Sequence, residues 1–162
     1  MASDTGDPPL PAGARMTTRM FSLREAKAFV PRLVEIFEVA TAELEEGQRL
    51  VAELEELGHP PPSGGPVDPD PTAPADVRRR QKRLREVATH VATLFEEIAD
   101  MGAELKSPEG LVDFRSRRRG TVVYLCWKFG ETGISHWHDL ESGFTGRRSI
   151  ADPAEFEGDY LQ

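Results

Sequence analysis

The sequence is poor in cysteine and in long apolar runs, and both deficits restrict what the chain can be. Its single cysteine, Cys126, excludes an internal disulfide and is typical of proteins kept in a reducing compartment. No stretch approaches the roughly 18–20 consecutive apolar residues that a membrane-spanning helix needs. Residues 1–20 also lack the apolar core of a signal peptide. We therefore expect a cytoplasmic protein with no membrane partner.

Apolar residues are scarce overall, at 38% of the sequence against 30% for charged residues. This mix favours a helical protein with much exposed surface. The deficit is concentrated in residues 1–20, which we expect to be a disordered tail, and in residues 58–75, where seven of eighteen residues are proline. Proline at that density predicts a stiff, extended linker, because it fixes φ and removes backbone donors. Residues 151–162 form a second, acidic tail in this interpretation.

Two segments have the apolar spacing of long helices. Residues 22–57 open with a capping box formed by Ser22 and Glu25, and apolar residues then recur at intervals of three and four. Residues 76–106 show the same spacing, which is typical of a coiled-coil seam. Pro31 predicts a bend in the first helix. Because the linker allows the second helix to fold back, the sequence predicts a long antiparallel, coiled-coil-like helical hairpin.

The charge pattern supports this pairing. The far end of the first helix is rich in glutamate, while the second helix opens with the basic run Arg78–Arg85. These two stretches lie side by side in an antiparallel pair, so we interpret the basic run as an intramolecular electrostatic partner. A nucleic-acid or lipid patch is the alternative interpretation, although the net charge of −8 argues against nucleic acid as a partner.

The apolar face of the first helix changes in width along its length. It is broad between Phe29 and Phe37 and narrows to little more than the seam beyond Leu44. A broad apolar face needs two neighbours, whereas a narrow seam needs one. The second neighbour is either the C-terminal unit or a second copy of the chain, and we expect self-association as a homodimer through this face.

Residues 110–150 are rich in β-branched and aromatic residues and predict a small antiparallel β unit. Two strands, Leu111–Phe114 and Thr121–Phe129, are predicted with a basic turn, Arg115–Gly120, between them. Alternation assigns one face of the second strand to the core: Val123, Leu125, Trp127 and Phe129. The predicted fold is therefore α+β and mostly α, a single domain over residues 21–150 that joins the hairpin to this unit.

Polar residues are concentrated in the β unit beyond what a core requires, and they are the candidate ligand-binding residues: Glu131, His138, Asp139, Glu141 and Arg147. An arginine that follows two glycines can hold a carboxylate or phosphate through two hydrogen bonds. His136 and His138 are two residues apart and would point the same way on a strand. Together with Asp139 they form a candidate site for a divalent metal, which Glu131 or Cys126 could complete.

Each of these residues also has a structural interpretation. Asp139 in a turn accepts local backbone hydrogen bonds, and His138 then connects two strands. Cys126 with His138 as its base is a candidate nucleophile, but a cysteine in the middle of a strand is more often an inert apolar residue. The residues alone leave these alternatives open.

Several short motifs stand out in the sequence: FSL-x-EA at 21–26, GLVDF at 110–114, YLCW at 124–127, GE at 130–131, WHDLE at 137–141 and GF-x-GR at 143–147. They resemble those of an uncharacterised bacterial family, the domain of unknown function 2203. The resemblance covers residues 21–150 apart from the linker, and it implies no known activity. We therefore expect a non-enzymatic protein-interaction or scaffold protein. The alternative is a small ligand- or metal-binding protein or enzyme that uses Glu131, His138, Asp139 and Arg147.

Overall fold

The computed structural model describes residues 19–159, which form three α-helices and a six-stranded antiparallel sheet. The helices are α1 Leu23–Ala28, α2 Val30–Glu56 and α3 Ala75–Asp100. The strands are β1 Glu104–Ser107, β2 Leu111–Arg118, β3 Thr121–Lys128, β4 His136–Asp139, β5 Arg148–Ser149 and β6 Phe156–Glu157. The fold is α+β, as predicted. Residues 1–18 and 160–162, which include most of the predicted N-terminal tail, lie outside the described residues.

Phe29 separates α1 from α2, where the sequence predicted one helix over residues 22–57. The predicted capping box is present, because Glu25 N donates to Ser22 Oγ and Ser22 N donates to the Glu25 side chain, both at 3.1 Å. The interruption follows from Pro31, which has no N–H to continue the hydrogen-bond ladder. Pro31 instead lies in the first turn of α2, where backbone N–H groups have no intrahelical partner.

Ion pairs connect α2 with α3. Glu53 pairs with Arg80 at 3.0 Å and Glu46 pairs with Arg83 at 2.7 Å, so later residues of α2 meet earlier residues of α3. These ion pairs agree with the interpretation of the basic run as an intramolecular partner. An apolar cluster fills the space between the helices: Leu50, Leu54, Val77, Leu84, Val87 and Val91. None of the described residues forms a helix long and apolar enough to cross a membrane.

The connection between α2 and α3 contains neither helix nor strand, in agreement with the predicted linker over residues 58–75. It is nevertheless packed onto the helices. Ala73 is buried in the cluster between α2 and α3, and Val67 packs against the same cluster. Asp70 N also donates a hydrogen bond of 2.9 Å to the side chain of Gln81. The linker therefore contributes to the small core of the helix pair.

Helix α3 ends at Asp100, so the predicted helix over residues 76–106 is wrong at its C-terminal end. Gly102 adopts a φ of +89°, a left-handed conformation that favours glycine, and the chain turns there into β1. Leu105 continues the three- and four-residue spacing of the helix but lies in a strand. At its other end α3 begins at Ala75, one residue before the predicted start.

The sheet has the order β1-β2-β3-β4-β5, and β6 pairs with β2 on the edge that β1 also occupies. The predicted basic turn over residues 115–120 is wrong, because β2 continues through Arg118 and pairs there with Thr121. The turn consists of Arg119 and Gly120 alone, with φ values of +50° and +78°. Two consecutive positive φ values fit a type I′ turn, which matches the twist of the hairpin.

One face of the sheet packs against the helices and forms the main core. The predicted core face of β3 is confirmed: Val123, Leu125 and Trp127 are buried, and Phe129 packs against them. From α2, the cluster receives three fully buried residues: Leu33, Ile36 and Phe37. Each such side chain contributes about 1.5–3 kcal/mol through burial. The broad apolar face of α2 is thus covered by the sheet of the same chain and is not available to a second copy.

The predicted acidic tail, residues 151–162, belongs to the fold as far as residue 159. Phe156 is 4% exposed and pairs in β6 with Arg118 of β2. Arg118 also forms an ion pair of 2.9 Å with Glu155. The tail prediction is wrong here because one buried aromatic side chain and the arginines of β2 fix an otherwise polar segment.

The two ends of the described chain lie beside each other. Met20 N donates to Asp159 Oδ2 at 2.9 Å, and Asp159 N donates to Met20 O at 3.1 Å. Phe21 N also donates to Arg115 O of β2 at 2.7 Å. Met20 therefore belongs to the folded unit, although the sequence assigned it to the N-terminal tail.

Candidate functional site

Three polar side chains meet on the face of the sheet that points away from the helices. Asp113 of β2 lies opposite Cys126 of β3, and His138 of β4 lies opposite Tyr124 of β3. Opposite residues of an antiparallel pair share a face, so strand register alone brings these side chains together. Asp113, Cys126 and His138 are exposed by 2% or less and form what we call the buried polar cluster.

His138 connects two parts of this cluster. Its Nδ1 lies 2.7 Å from the carbonyl oxygen of Asp139, and its Nε2 lies 3.0 Å from Asp113 Oδ2. A carbonyl oxygen only accepts, so Nδ1 carries a proton. A second proton then lies between Nε2 and Asp113, because two acceptors cannot form a hydrogen bond. Burial raises the pKa of the Asp113 carboxyl, while the charge of His138 and their hydrogen bond act in the opposite direction.

Cys126 is the third member of the cluster, and its chemistry is that of a thiol. Its side chain is fully buried. Burial, together with the neighbouring Asp113 carboxyl, raises the pKa of Cys126 to about 12. The nucleophile in cysteine catalysis is the thiolate, and reactive cysteines have a lowered pKa. The interpretation of Cys126 as a nucleophile with His138 as its base therefore has no electrostatic support.

Ion pairs border the cluster on both sides. On the β1 side, Glu104 accepts hydrogen bonds from Tyr124 Oη at 3.1 Å and from Arg115 Nε at 3.0 Å, and it pairs with Lys106 at 3.3 Å. On the opposite side, Arg147 Nη2 lies 2.8 Å from each oxygen of Glu131. Arg115 and Lys106 thus share one carboxylate, and Arg147 has a carboxylate of its own.

The predicted ligand-binding residues are separated in the structure into three groups. Glu131 pairs with Arg147, while His138 pairs with Asp113. The Asp139 carboxylate accepts backbone hydrogen bonds from Glu141 N at 3.2 Å and from Ser142 N at 2.8 Å, as in the structural interpretation of that turn. The side chain of Glu141 is on the surface.

The predicted metal ligands are also divided. His136 Nδ1 lies 3.0 Å from Ser135 Oγ and 3.7 Å from Glu131 Oε2, on the side of Arg147. Within residues 19–159, the donor atoms that come within 4.8 Å of one another belong to Asp113, Cys126 and His138. Of the three predicted ligands, the structure places only His138 in this group.

Sequence reasoning missed Asp113. The residue interrupts the apolar run Leu111–Phe114, and a carboxylate at such a position indicates a buried polar partner. The identity of that partner depends on the register of β2, β3 and β4, which the sequence did not supply.

Four arginines of β2 and the turn after it pair with three carboxylates, because Arg118 and Arg119 share Glu155. The pairs are Arg115–Glu104 at 3.0 Å, Arg118–Glu155 at 2.9 Å, Arg119–Glu155 at 2.7 Å and Arg117–Asp159 at 3.5 Å. The positive charge of residues 115–119 is therefore largely neutralised by carboxylates from β1 and from the end of the described chain.

A family model described as "Uncharacterized conserved protein (DUF2203)" matches residues 19–150. The chain belongs to the DUF2203 family. The match confirms the resemblance drawn from the sequence motifs and includes every element from α1 to β5, and thus the whole buried polar cluster. The segment that forms β6 follows the matched region. Neither the curated proteins nor the solved structures contain a match to this DUF2203 protein.

Proposed function

We propose that this DUF2203 protein is a non-enzymatic interaction or scaffold protein of the cytoplasm that self-associates as a homodimer through its helix pair. The observation that carries the proposal is the distribution of charge on α2 and α3. Their inner sides pair with each other, whereas their outer sides carry opposite charges. Two copies can therefore match the acidic side of one pair with the basic side of the other.

The acidic stripe lies on the outer side of α2 and consists of Glu38, Glu45 and Glu56, all exposed. Their spacing of seven and eleven residues returns to one side of an α-helix. Arg49 lies on the same side and shares Glu53, at 2.9 Å, with Arg80, so the stripe has three carboxylates against one arginine. The stripe therefore retains a negative field.

The basic stripe lies on the outer side of α3 and consists of Arg78, Lys82 and Arg85, which are also exposed. The spacing of four and three residues again selects one side of the helix. Arg85 forms an ion pair of 3.0 Å with Asp68, but both side chains are more than half exposed, and such pairs are weak. Arg85 can therefore exchange this partner for one on a second copy.

We further propose that α2 and α3 form an antiparallel coiled-coil hairpin that acts as the arm of the scaffold. Its support is the apolar cluster at three- and four-residue spacing between the helices. Beyond Leu44 this cluster receives residues from α2, α3 and the linker only. Because only a narrow apolar strip is buried between the two helices, their long charged sides remain accessible to a partner.

Sedimentation of the full chain at low and high salt tests the proposal. We expect a dimer at low salt that dissociates as salt screens the stripes. Reversal of the basic stripe (Arg78→Glu, Lys82→Glu, Arg85→Glu) or of the acidic stripe (Glu38→Lys, Glu45→Lys, Glu56→Lys) should give monomers. An equimolar mixture of the two variants should restore a heterodimer.

The matched control reverses two exposed charges outside the arm, Arg24→Glu and Lys27→Glu on α1, and should leave the dimer intact. A wild-type chain that remains monomeric at low salt contradicts the homodimer. A dimer that survives both stripe reversals places the contact elsewhere and contradicts the role of the arm.

A further inference from the structure

We infer that Asp113, Cys126 and His138 form a buried site for one divalent cation of borderline softness, with Zn²⁺ as the ion that fits best. The inference is independent of self-association. It also differs from the metal site predicted by the sequence: Asp113 is new, Cys126 changes from a possible additional ligand to one of the three, and His136 and Asp139 are left out.

The donor atoms identify the class of ion. One carboxylate oxygen, one thiol sulfur and one imidazole nitrogen lie within 4.8 Å of one another. Sulfur and nitrogen ligands exclude Mg²⁺ and Ca²⁺, which take oxygen, and are typical of Zn²⁺. Zn²⁺ with bonds of about 2.0–2.2 Å holds oxygen and nitrogen ligands about 3.4 Å apart. The present separation of 3.0 Å between Asp113 Oδ2 and His138 Nε2 therefore needs to open only slightly.

A second observation comes from Asp113. Its Oδ1 is buried in a side chain that is only 3% exposed, and no N–H or O–H group of residues 19–159 donates to it. The Cys126 thiol, a weak donor, is the one polar group of the cluster left to interact with this carboxylate. Buried polar atoms are nearly always satisfied, and an exception indicates a missing partner such as an ion. Oδ1 belongs to the carboxylate whose other oxygen faces His138, so the unpaired atom lies within the cluster.

The orientation of His138 is a third, separate observation. Its Nδ1–H donates to the carbonyl oxygen of Asp139 at 2.7 Å, and its Nε2 points into the cluster. Metal-ligating histidines characteristically donate the second ring N–H to a backbone carbonyl or a carboxylate, which fixes the tautomer and the ring. His138 is already held in this way without the ion.

Charge balance also favours a divalent ion. Without metal, one proton lies between Asp113 and His138 and another on the Cys126 thiol, so the cluster is neutral. Binding of M²⁺ releases both protons and leaves a carboxylate, a thiolate and a neutral imidazole around the ion. The cluster remains neutral, and no net charge is transferred into the interior. A trivalent ion would leave a net positive charge in the interior, because the cluster has only two protons to release, and a monovalent ion would displace only one of them.

The charges around the cluster are largely paired. Lys106 and Arg115 on one side share Glu104, which leaves one excess positive charge there, and Arg147 on the other side is paired with Glu131. The release of two protons makes metal affinity rise with pH, because the ion competes with protons for Cys126 and for the Asp113–His138 pair. Three protein ligands leave one tetrahedral position for a water molecule.

The test uses the full chain without an affinity tag. The chain is produced with zinc in the medium, and its metal content is measured by mass spectrometry after gel filtration. We expect about one zinc per chain. Because the cluster is buried, the chain is also refolded with Co²⁺, which should give visible bands of a tetrahedral site and a sulfur-to-cobalt charge-transfer band.

Cys126→Ala is the decisive variant, because it leaves the Asp113–His138 hydrogen bond intact and so preserves the fold. We expect its zinc content per chain to fall at least tenfold and its charge-transfer band to disappear. The matched control is His136→Ala, which removes the other histidine of β4 and should leave both signals unchanged. Zinc should raise the melting temperature of the wild type and of His136→Ala but not of Cys126→Ala.

Three results overturn the inference. The first is a folded wild-type chain with neither zinc nor a cobalt spectrum, which makes the cluster a permanent hydrogen-bonded network. The second is retention of zinc in Cys126→Ala, and the third is its loss in His136→Ala. Either of these two results would show that the zinc is bound by other residues.

Discussion

Replacement of His138 by leucine should be the most damaging polar substitution in the sheet. The change removes the partner of Asp113 and leaves a carboxylate that is 2% exposed without its hydrogen bond. Loss of one member of a buried pair costs about 3–5 kcal/mol, because the other charge stays buried and unpaired. Leucine is similar in volume to histidine, so a cavity adds little. For a chain of this size the loss corresponds to a fall in melting temperature of about 10 °C.

The same substitution should show a characteristic pH dependence. Burial raises the pKa of Asp113, and His138 lowers it, so the pKa rises further when His138 is absent. A raised pKa in the folded state stabilises the fold below the unfolded-state pKa of about 3.9, and this contribution is lost as pH rises through the folded-state value. The deficit of His138→Leu relative to wild type should therefore be larger at pH 7 than at pH 4.5.

Urea unfolding at both pH values, with a chelator present, measures these deficits. The double variant Asp113→Leu/His138→Leu contains no buried charge and should recover at least about 2 kcal/mol of the loss. His136→Leu, on the same strand, serves as the control and should change stability by no more than about 0.5 kcal/mol. A deficit below about 1 kcal/mol at pH 7, or one that does not change with pH, refutes the assignment of a buried charged pair.

Three further predictions follow from burial and backbone geometry. Phe156→Ala should lower the free energy of unfolding by about 3 kcal/mol, because β6 belongs to the core; an unchanged urea midpoint would contradict this. Cys126 should react with a maleimide roughly 100-fold more slowly in the folded chain than in urea, since it is buried and its pKa is raised to about 12; equal rates would show that the cluster is open. Gly110→Ala should destabilise by about 1–3 kcal/mol, as its φ is +116° and a new Cβ would collide with Phe129 Cβ; a melting temperature equal to wild type would refute the close contact.

Local signals in the sequence predicted the local features well. The capping box of Ser22 and Glu25 and the alternation of Val123, Leu125 and Trp127 each depend on neighbours within a few residues. Such patterns are set by helix and strand geometry, and the structure agrees with them.

Features that depend on distant contacts were predicted poorly. Leu105 continued the spacing of α3, yet Gly102 and pairing with β2 placed it in a strand. Phe156 is a lone aromatic in an acidic segment, and its burial requires the edge of β2. For the candidate site, His138 was identified but its partner Asp113 was not, because 25 residues separate them and strand register alone joins them.

The mutual hydrogen bonds of Met20 and Asp159 have a topological consequence. Because the two ends of the described chain meet beside β2, a short peptide could join them without disturbing any element. New termini could then be opened in the proline-rich connection between α2 and α3, where neither helix nor strand is cut. Such a circular permutant would make α2 and α3 the two ends of the chain while leaving the sheet and the buried polar cluster continuous. The chain connectivity could thus be changed without changing how the helices and the sheet pack.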